Sequence, residues 1–232
     1  MKIIVINPNS SRSITDRIRK VLLSIKRVDT ELDVVCLNEA PVTLESSYDE
    51  AFAIPLLLDA VKKANEDGYD AVVLACFCDA GLEAAKEVSD ILVLGLEETT
   101  LAMALLLGHK FSIMTERREK VPVKEIHVRQ RGLESRLASV RPLGLSVADL
   151  DAQPERVRSQ GISLARQMIE EDGAEVIIMG CAAMAGYADE LEEQLKVPVL
   201  DPVAVTFKVA EAMVDLGLRH SKVGLFATPP RE

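Results

Sequence analysis

The chain is poor in the residues that enzymes most often use. Of its 232 residues only three are histidines and four are cysteines. His109, His127 and His220 are scattered and fit no zinc spacing, so no metal is expected. Four cysteines in a chain of this length are too few for a disulfide framework. There is no glycine-rich phosphate loop, no nucleophile elbow and no helix with paired histidines. Positive charge is also short, with 27 Lys and Arg against 37 Asp and Glu and a net charge of −10. That balance argues against nucleic acid or an anionic membrane as partner. No apolar run approaches the ~20 residues of a membrane helix. Met1-Lys2-Ile3-Ile4-Val5-Ile6 enters a strand at once, and no small-residue cleavage site follows it. These absences leave a cytoplasmic protein acting on a small molecule.

What is present is ordinary for a globular fold. Hydrophobic residues make up 48% and charged residues 28%, and 232 positions are enough to bury a sizeable core.

The chain is organised by a stretch that occurs twice. Asp70-Ala71-Val72-Val73-Leu74-Ala75-Cys76 is followed by Phe77-Cys78-Asp79-Ala80-Gly81. Glu175-Val176-Ile177-Ile178-Met179-Gly180-Cys181 is followed by Ala182-Ala183-Met184-Ala185-Gly186. Asp70 and Glu175, Cys76 and Cys181, and Gly81 and Gly186 all stand 105 positions apart. An apolar run closed by small residues reads as a buried parallel strand. Each cysteine then falls at a strand's carboxyl end, where open α/β sheets place their ligand crevices.

The remaining pattern alternates strand and helix. Residues 2–6, 32–37, 91–95, 110–115, 197–200 and 223–227 read as further strands, with another around Ser139. Asn7-Pro8-Asn9-Ser10-Ser11 is a turn and cap cluster, and Ile14, Ile18, Val21, Leu22 and Ile25 keep helical period after it. Helices are expected over 51–64, 81–88, 97–107, 154–171, to Lys196 and over 202–216, with Pro55 beginning or kinking the first. Alternation of this kind means parallel sheets flanked by helices. The expected fold is α/β, two similar lobes related by a pseudo-twofold axis with the active site between them. Residues 1–100 plus 203–232 form the first lobe and 101–202 the second.

Two cysteines at matched places suggest an acid and a base. A thiolate is a competent base, and a thiol a competent acid, once its pKa falls below ~8.5. A helix start after each cysteine would favour the thiolate. One group removes a proton from a carbon and the other returns one to the opposite face, so the carbon inverts. The sulfurs are then expected to face each other roughly 7–9 Å apart, with the carbon about 3–3.5 Å from each reacting group. No cofactor is needed where the substrate's own carbonyls acidify the C–H bond. Packed core thiols, or half of a metal or redox site at Cys76-Phe77-Cys78, are the alternatives.

Several motifs carry a resemblance. Ile6-Asn7-Pro8-Asn9-Ser10-Ser11, Leu44-Glu45-Ser46 ahead of Tyr48-Asp49-Glu50-Ala51, Ala75-Cys76-Phe77 and Gly180-Cys181-Ala182-Ala183-Met184-Ala185 resemble the hydantoin and allantoin racemases of the aspartate/glutamate racemase superfamily. The resemblance covers most of the chain. It implies a cofactor-independent, homo-oligomeric isomerase that inverts C5 of 5-substituted hydantoins or allantoin, with Cys76 and Cys181 as the catalytic pair. It also implies substrate contacts at Asn7, Asn9, Ser46, Phe77, Cys78, Thr115, Ala182 and Ala183. The chain departs from the family pattern at Cys78, Ala80 and Glu116. Amino-acid racemases of the superfamily follow their cysteines with asparagine or threonine, whereas Phe77 and Ala182 stand here, which favours a neutral ring. A racemase of a free acidic amino acid and a non-catalytic small-molecule binder of the same fold are the competing readings.

Overall fold

A computed structural model describes residues 1–230. Its strands are β1 (Lys2–Asn7), β2 (Glu31–Cys36), β3 (Ala71–Leu74), β4 (Leu92–Gly95), β5 (Phe111–Thr115), β6 (Leu137–Pro142), β7 (Val176–Met179) and β8 (Val199–Leu200). Its α-helices are α1 (Arg12–Ile25), α2 (Ser47–Glu66), α3 (Leu82–Val88), α4 (Leu96–Leu107), α5 (Val121–Gln130), α6 (Val147–Ala152), α7 (Pro154–Glu170), α8 (Ala188–Leu195) and α9 (Pro202–Asp215). The chain packs as two units, Met1–Thr99 with the chain from Thr206 onward, and Thr100–Val205. The boundaries between them fall inside α4 and α9. None of the described helices is long and apolar enough to cross a membrane.

Each unit holds one four-stranded parallel sheet, in the orders β2-β1-β3-β4 and β6-β5-β7-β8. The two orders are the same, so the sequence repeat is a repeat of topology. The central strands β1, β3, β5 and β7 are buried almost throughout, as uniformly apolar parallel strands must be. In the first unit Ile4, Ile6, Val72, Leu74 and Val93 pack with Leu57, Val61 and Ala64 of α2 and with Leu82 and Ala85 of α3. Pairing of Ile6 with Leu74 and of Leu74 with Gly95 brings the carboxyl ends of β1, β3 and β4 level.

Three kinds of difference from the sequence expectation appear. Helix α2 begins at Ser47 rather than near Ala51, and Pro55 lies inside it. The Ser46 hydroxyl caps it by accepting from the Asp49 N–H at 3.2 Å, and Asp49 and Glu50 sit at the positive end of the helix. Burial of Ala53, Leu57, Val61 and Ala64 offsets the backbone bond that Pro55 removes. Helices α5 and α6 went unread. Helix α5 buries only Lys124 and Val128, and α6 is a single capping-box turn held by Ser146 and Asp149.

The third difference is the expected strand at 223–227, which does not form. Val223 is 89% exposed and Leu225 is 70% exposed. An apolar run becomes a strand only where a sheet edge offers it hydrogen bonds. Here the outer edge of β4 is taken by a side chain, because the Val93 N–H donates to His220 Nε2 at 2.9 Å. Lys222 Nζ donates to the carbonyls of Lys86 (2.6 Å) and Glu87 (3.1 Å) at the end of α3, and fastens the tail from the other side.

The same Nε2 lies 3.0 Å from the Val93 carbonyl, so a ring with its lone pair there accepts from the N–H and a ring protonated there donates to the carbonyl. Burial, and next the charge of Lys86, hold the His220 pKa below its ordinary value, while the bond to the Val93 carbonyl, which favours a protonated ring, opposes them. The groups facing the ring are Lys86, Lys222 and Glu98, with Phe226 edge-on at 5.9 Å. A histidine pKa depressed by folding stabilises the fold above the unfolded value of about 6.5, and that contribution is lost as pH falls through the lower folded value. His220→Ala should therefore cost roughly 0.5–1.5 kcal/mol at pH 7.5, the worth of one net hydrogen bond. The gap between the two proteins should close toward pH 5. Urea melts of both at the two pH values read this, and a gap independent of pH would refute it.

Candidate functional site

The two cysteine loops share three backbone hydrogen bonds. Ala75 N–H donates to the Ile6 carbonyl at 2.8 Å, and Gly180 N–H to the Met114 carbonyl at 2.7 Å. Cys76 N–H turns back to the Leu74 carbonyl (3.0 Å), as Cys181 N–H does to Met179 (2.9 Å). The Cys76 carbonyl accepts from Asp79 N–H (3.1 Å), as the Cys181 carbonyl accepts from Met184 N–H (3.0 Å). Both cysteines therefore leave the central strand next to the equivalent neighbouring strand and enter a turn closed by the N–H three residues on. Both are half-buried.

One expectation about these loops is corrected. Neither cysteine is followed directly by an α-helix. Cys76 enters a turn and α3 starts only at Leu82, while Cys181 enters the short 3₁₀ turn Ala182–Met184 and α8 starts at Ala188. The loops are too tight, and their N–H groups too committed to the turns, for an α-helix to start at the cysteine itself.

In the first unit Cys76, Phe77, Cys78, Asn7 and Asn9 all come to the carboxyl end of one sheet. The Cys76 and Cys78 sulfurs are 3.1 Å apart, within hydrogen-bond reach. Cys76 packs against the small cluster of Ala40, Leu44 and Ala53. The Phe77 ring is only 2% exposed and fills the interior. Asn7 and Asn9 are buried and bound to each other, Asn7 Nδ2 donating to Asn9 Oδ1 (2.8 Å) and to Thr15 Oγ1 (3.0 Å). Asn9 Oδ1 also accepts from Ser11 N–H at 2.9 Å, which rigidifies the turn before α1. Ser46 is exposed and donates to Asp49 Oδ2 at 2.7 Å as the cap of α2.

In the second unit Thr115 ends β5 and Cys181, Ala182 and Ala183 follow β7, again at the carboxyl end of a sheet. Ala182, Ala183 and Thr115 are buried. Thr115 Oγ1 donates to Glu116 Oε2 at 2.8 Å, and the Glu116 side chain is itself buried.

Two buried carboxylates beside these loops escaped the sequence reading. Asp79 accepts from Glu97 N–H (3.0 Å) and Glu98 N–H (2.8 Å) at the start of α4. Asp201 accepts from Val203 N–H (2.9 Å) at the start of α9 and from Gly186 N–H (2.7 Å) beyond Cys181. Burial pushes the Asp79 pKa up to about 7, helped by the nearby Glu97 charge and opposed by the two backbone donors. Burial raises Asp201 as well, against three backbone donors. Asp201 ahead of Pro202 has the form of a helix cap and could have been found on that signal. Asp79 sits in a turn and gives none.

Comparison with known proteins agrees with the fold and adds a family. The family model for Asp/Glu/hydantoin racemases matches residues 3–210. A hydantoin racemase of Pseudomonas sp. (strain NS671) is 39% identical, covering 100% of this chain and 93% of that protein. A hydantoin racemase of Paenarthrobacter aurescens is 36% identical, covering 99% and 98%. The structure of allantoin racemase from Klebsiella pneumoniae superposes with a TM-score of 0.96 at 32% identity, covering 100% of this chain and 95% of that one. The chain belongs to the Asp/Glu/hydantoin racemase family and is an isomerase.

Proposed function

We propose that this protein inverts the C5 stereocentre of a hydantoin-type ring, a 5-substituted hydantoin or allantoin, with Cys76 and Cys181 as the two acid/base groups. The observation that carries the reading is the match of three backbone hydrogen bonds between the two cysteine loops. A protein that only bound a ligand would have no use for two matched thiols at two strand ends. One thiolate takes the C5 proton from one face of the ring. The pair of electrons left at C5 is held by the ring's adjacent carbonyl as an enolate. The other thiol then gives its proton to C5 from the opposite face, and for the other enantiomer the two sulfurs exchange roles. No cofactor enters the sequence of steps. The names of the relatives at 39% and 36% identity support a hydantoin ring as substrate. Phe77 and Ala182, which follow the cysteines, offer no group to pair with a free α-carboxylate, which disfavours an acidic amino acid.

The test is loss of optical rotation from enantiopure 5-substituted hydantoins and allantoin, with D- and L-aspartate and glutamate in parallel. Racemisation of a ring and not of the amino acids is the expected result. Binding of a ring without racemisation would leave only a binding protein.

Cys78 is read as a wall of the site rather than a third acid or base. Its sulfur lies 3.1 Å from that of Cys76, so Cys78→Gly removes one hydrogen bond and some volume. A net bond of about 0.5–1.5 kcal/mol corresponds to no more than about tenfold in rate. Cys78→Gly should keep racemisation within that margin and accept bulkier C5 substituents. Complete loss of activity in a folded variant would make Cys78 the true partner of Cys181.

A further inference from the structure

We propose that Asp79 and Asp201 are positioning residues, each tying one cysteine loop to the helix start behind it and so holding that cysteine's sulfur for its half of the reaction. The proposal rests on the two-cysteine reading.

The geometry is reciprocal. In the first unit the carboxylate comes from the cysteine loop and grips the helix. Asp79 follows Cys76 by three residues, bonds its N–H to the Cys76 carbonyl, and accepts from Glu97 and Glu98 N–H of α4. In the second unit the carboxylate comes from the helix and grips the loop. Asp201 precedes α9, accepts from Val203 N–H, and reaches with its other oxygen to Gly186 N–H. The repeat makes the exchange explicit, since the counterpart of Asp79 is Met184 and, with Val73 paired to Leu94 and Ile178 to Leu200, the counterpart of Asp201 is Gly95. Each unit therefore has one carboxylate across the same gap, supplied from opposite sides.

Local sequence has adapted to each tether. Asp79 sits in the left-handed region at φ 48°, which aspartate tolerates better than most residues. A Cβ on Gly95 would lie 2.4 Å from the Asp79 Cγ, so only glycine leaves room for this carboxylate at the end of β4. By strand register the matching position in the second unit is Asp201 itself, so in both units this point holds a single carboxylate. Gly186, the tethered donor of the second unit, has φ 88°. A buried carboxylate sharing backbone donors between two segments fixes their separation, because losing either bond leaves a buried polar group unpaired. A cysteine three or five residues away inherits that fixed position.

The test uses C5–H exchange into deuterated solvent, followed by NMR with each pure enantiomer of a 5-substituted hydantoin. Cys76→Ser and Cys181→Ser first assign which enantiomer each sulfur deprotonates. Asp79→Asn keeps the size but points an amide N–H₂ at a backbone donor. Asp201→Ser keeps a cap for α9 but is too short to reach Gly186, so it separates the tether from the helix cap. Misplacement by about 1 Å can cost up to roughly 10²-fold, and a loosened tether should cost roughly 10- to 30-fold in kcat with little change in KM. Asp79→Asn should slow exchange of the enantiomer that Cys76→Ser abolishes. Asp201→Ser should slow the one that Cys181→Ser abolishes. The ratio of the two exchange rates within one sample does not depend on the folded fraction, so partial unfolding cannot imitate the result. Equal slowing of both enantiomers, no slowing, or the crossed pattern would overturn the tether. Failure of the two cysteine variants to show opposite preferences would instead overturn the two-cysteine reading.

Discussion

Cys76→Ser and Cys181→Ser should each abolish racemisation by roughly 10²–10⁴-fold, the usual contribution of a positioned acid or base. Serine changes little volume but has far too high a pKa to act as a base near neutrality. The two variants should lose both directions of the reaction together, because inversion needs one group on each face. They should differ in proton exchange. The surviving thiolate in Cys76→Ser still removes the C5 proton of one enantiomer and returns deuterium from solvent to the same face. In Cys181→Ser the enantiomer that exchanges should be the opposite one. Ring affinity and thermal stability should change little, since neither sulfur is asked to hold the ring and both are only half-buried. The measurements are optical rotation and deuterium incorporation on the same samples. Wild-type rates in both variants would make the cysteines packing residues and end the isomerase mechanism proposed for them.

The strands and their parallel pairing were legible because buried parallel strands announce themselves as short apolar runs, and the repeat set their equivalence. The cysteines were legible for the same reason, standing just beyond two such runs. Elements whose stability comes from capping or from a few buried residues were not. Helix α6 is one turn closed by Ser146 and Asp149, and α5 buries a lysine where periodicity looks for an apolar residue. Val223 to Ala227 was misread because apolar character cannot tell whether a sheet edge is open. His220 closes that edge from outside the run. Asp79 leaves no mark on side-chain pattern because its partners are backbone N–H groups 18 and 19 residues away, whereas Asp201 carries the local signal of a cap ahead of Pro202 and only its bond to Gly186 is hidden.

Gly180→Ala should be the most damaging single methyl in the second unit. By the repeat it looks harmless, since Ala75 occupies the matching place in the first unit and is buried there. The surroundings decide otherwise. A Cβ on Gly180 would lie 2.8 Å from Ile113 Cγ2 and 2.8 Å from the Met114 carbonyl oxygen. The isoleucine could turn aside, but the carbonyl belongs to β5 and cannot. Gly180 N–H also bonds that same carbonyl at 2.7 Å, so relief of the clash breaks a buried hydrogen bond. Overpacking of this kind costs about 1–3 kcal/mol. For a chain of this size that lowers Tm by about 2–12 °C. The displaced backbone leads straight into Cys181, so the rate should fall by roughly 10²-fold even well below Tm, where the chain is folded. The loss should be one-sided in proton exchange, matching Cys181→Ser and leaving the enantiomer served by Cys76. Calorimetry and exchange rates at 20 °C give both readings. A variant with wild-type Tm and wild-type exchange would mean that β5 and β7 yield to the methyl, and that the seat of Cys181 is softer than its hydrogen bonds imply.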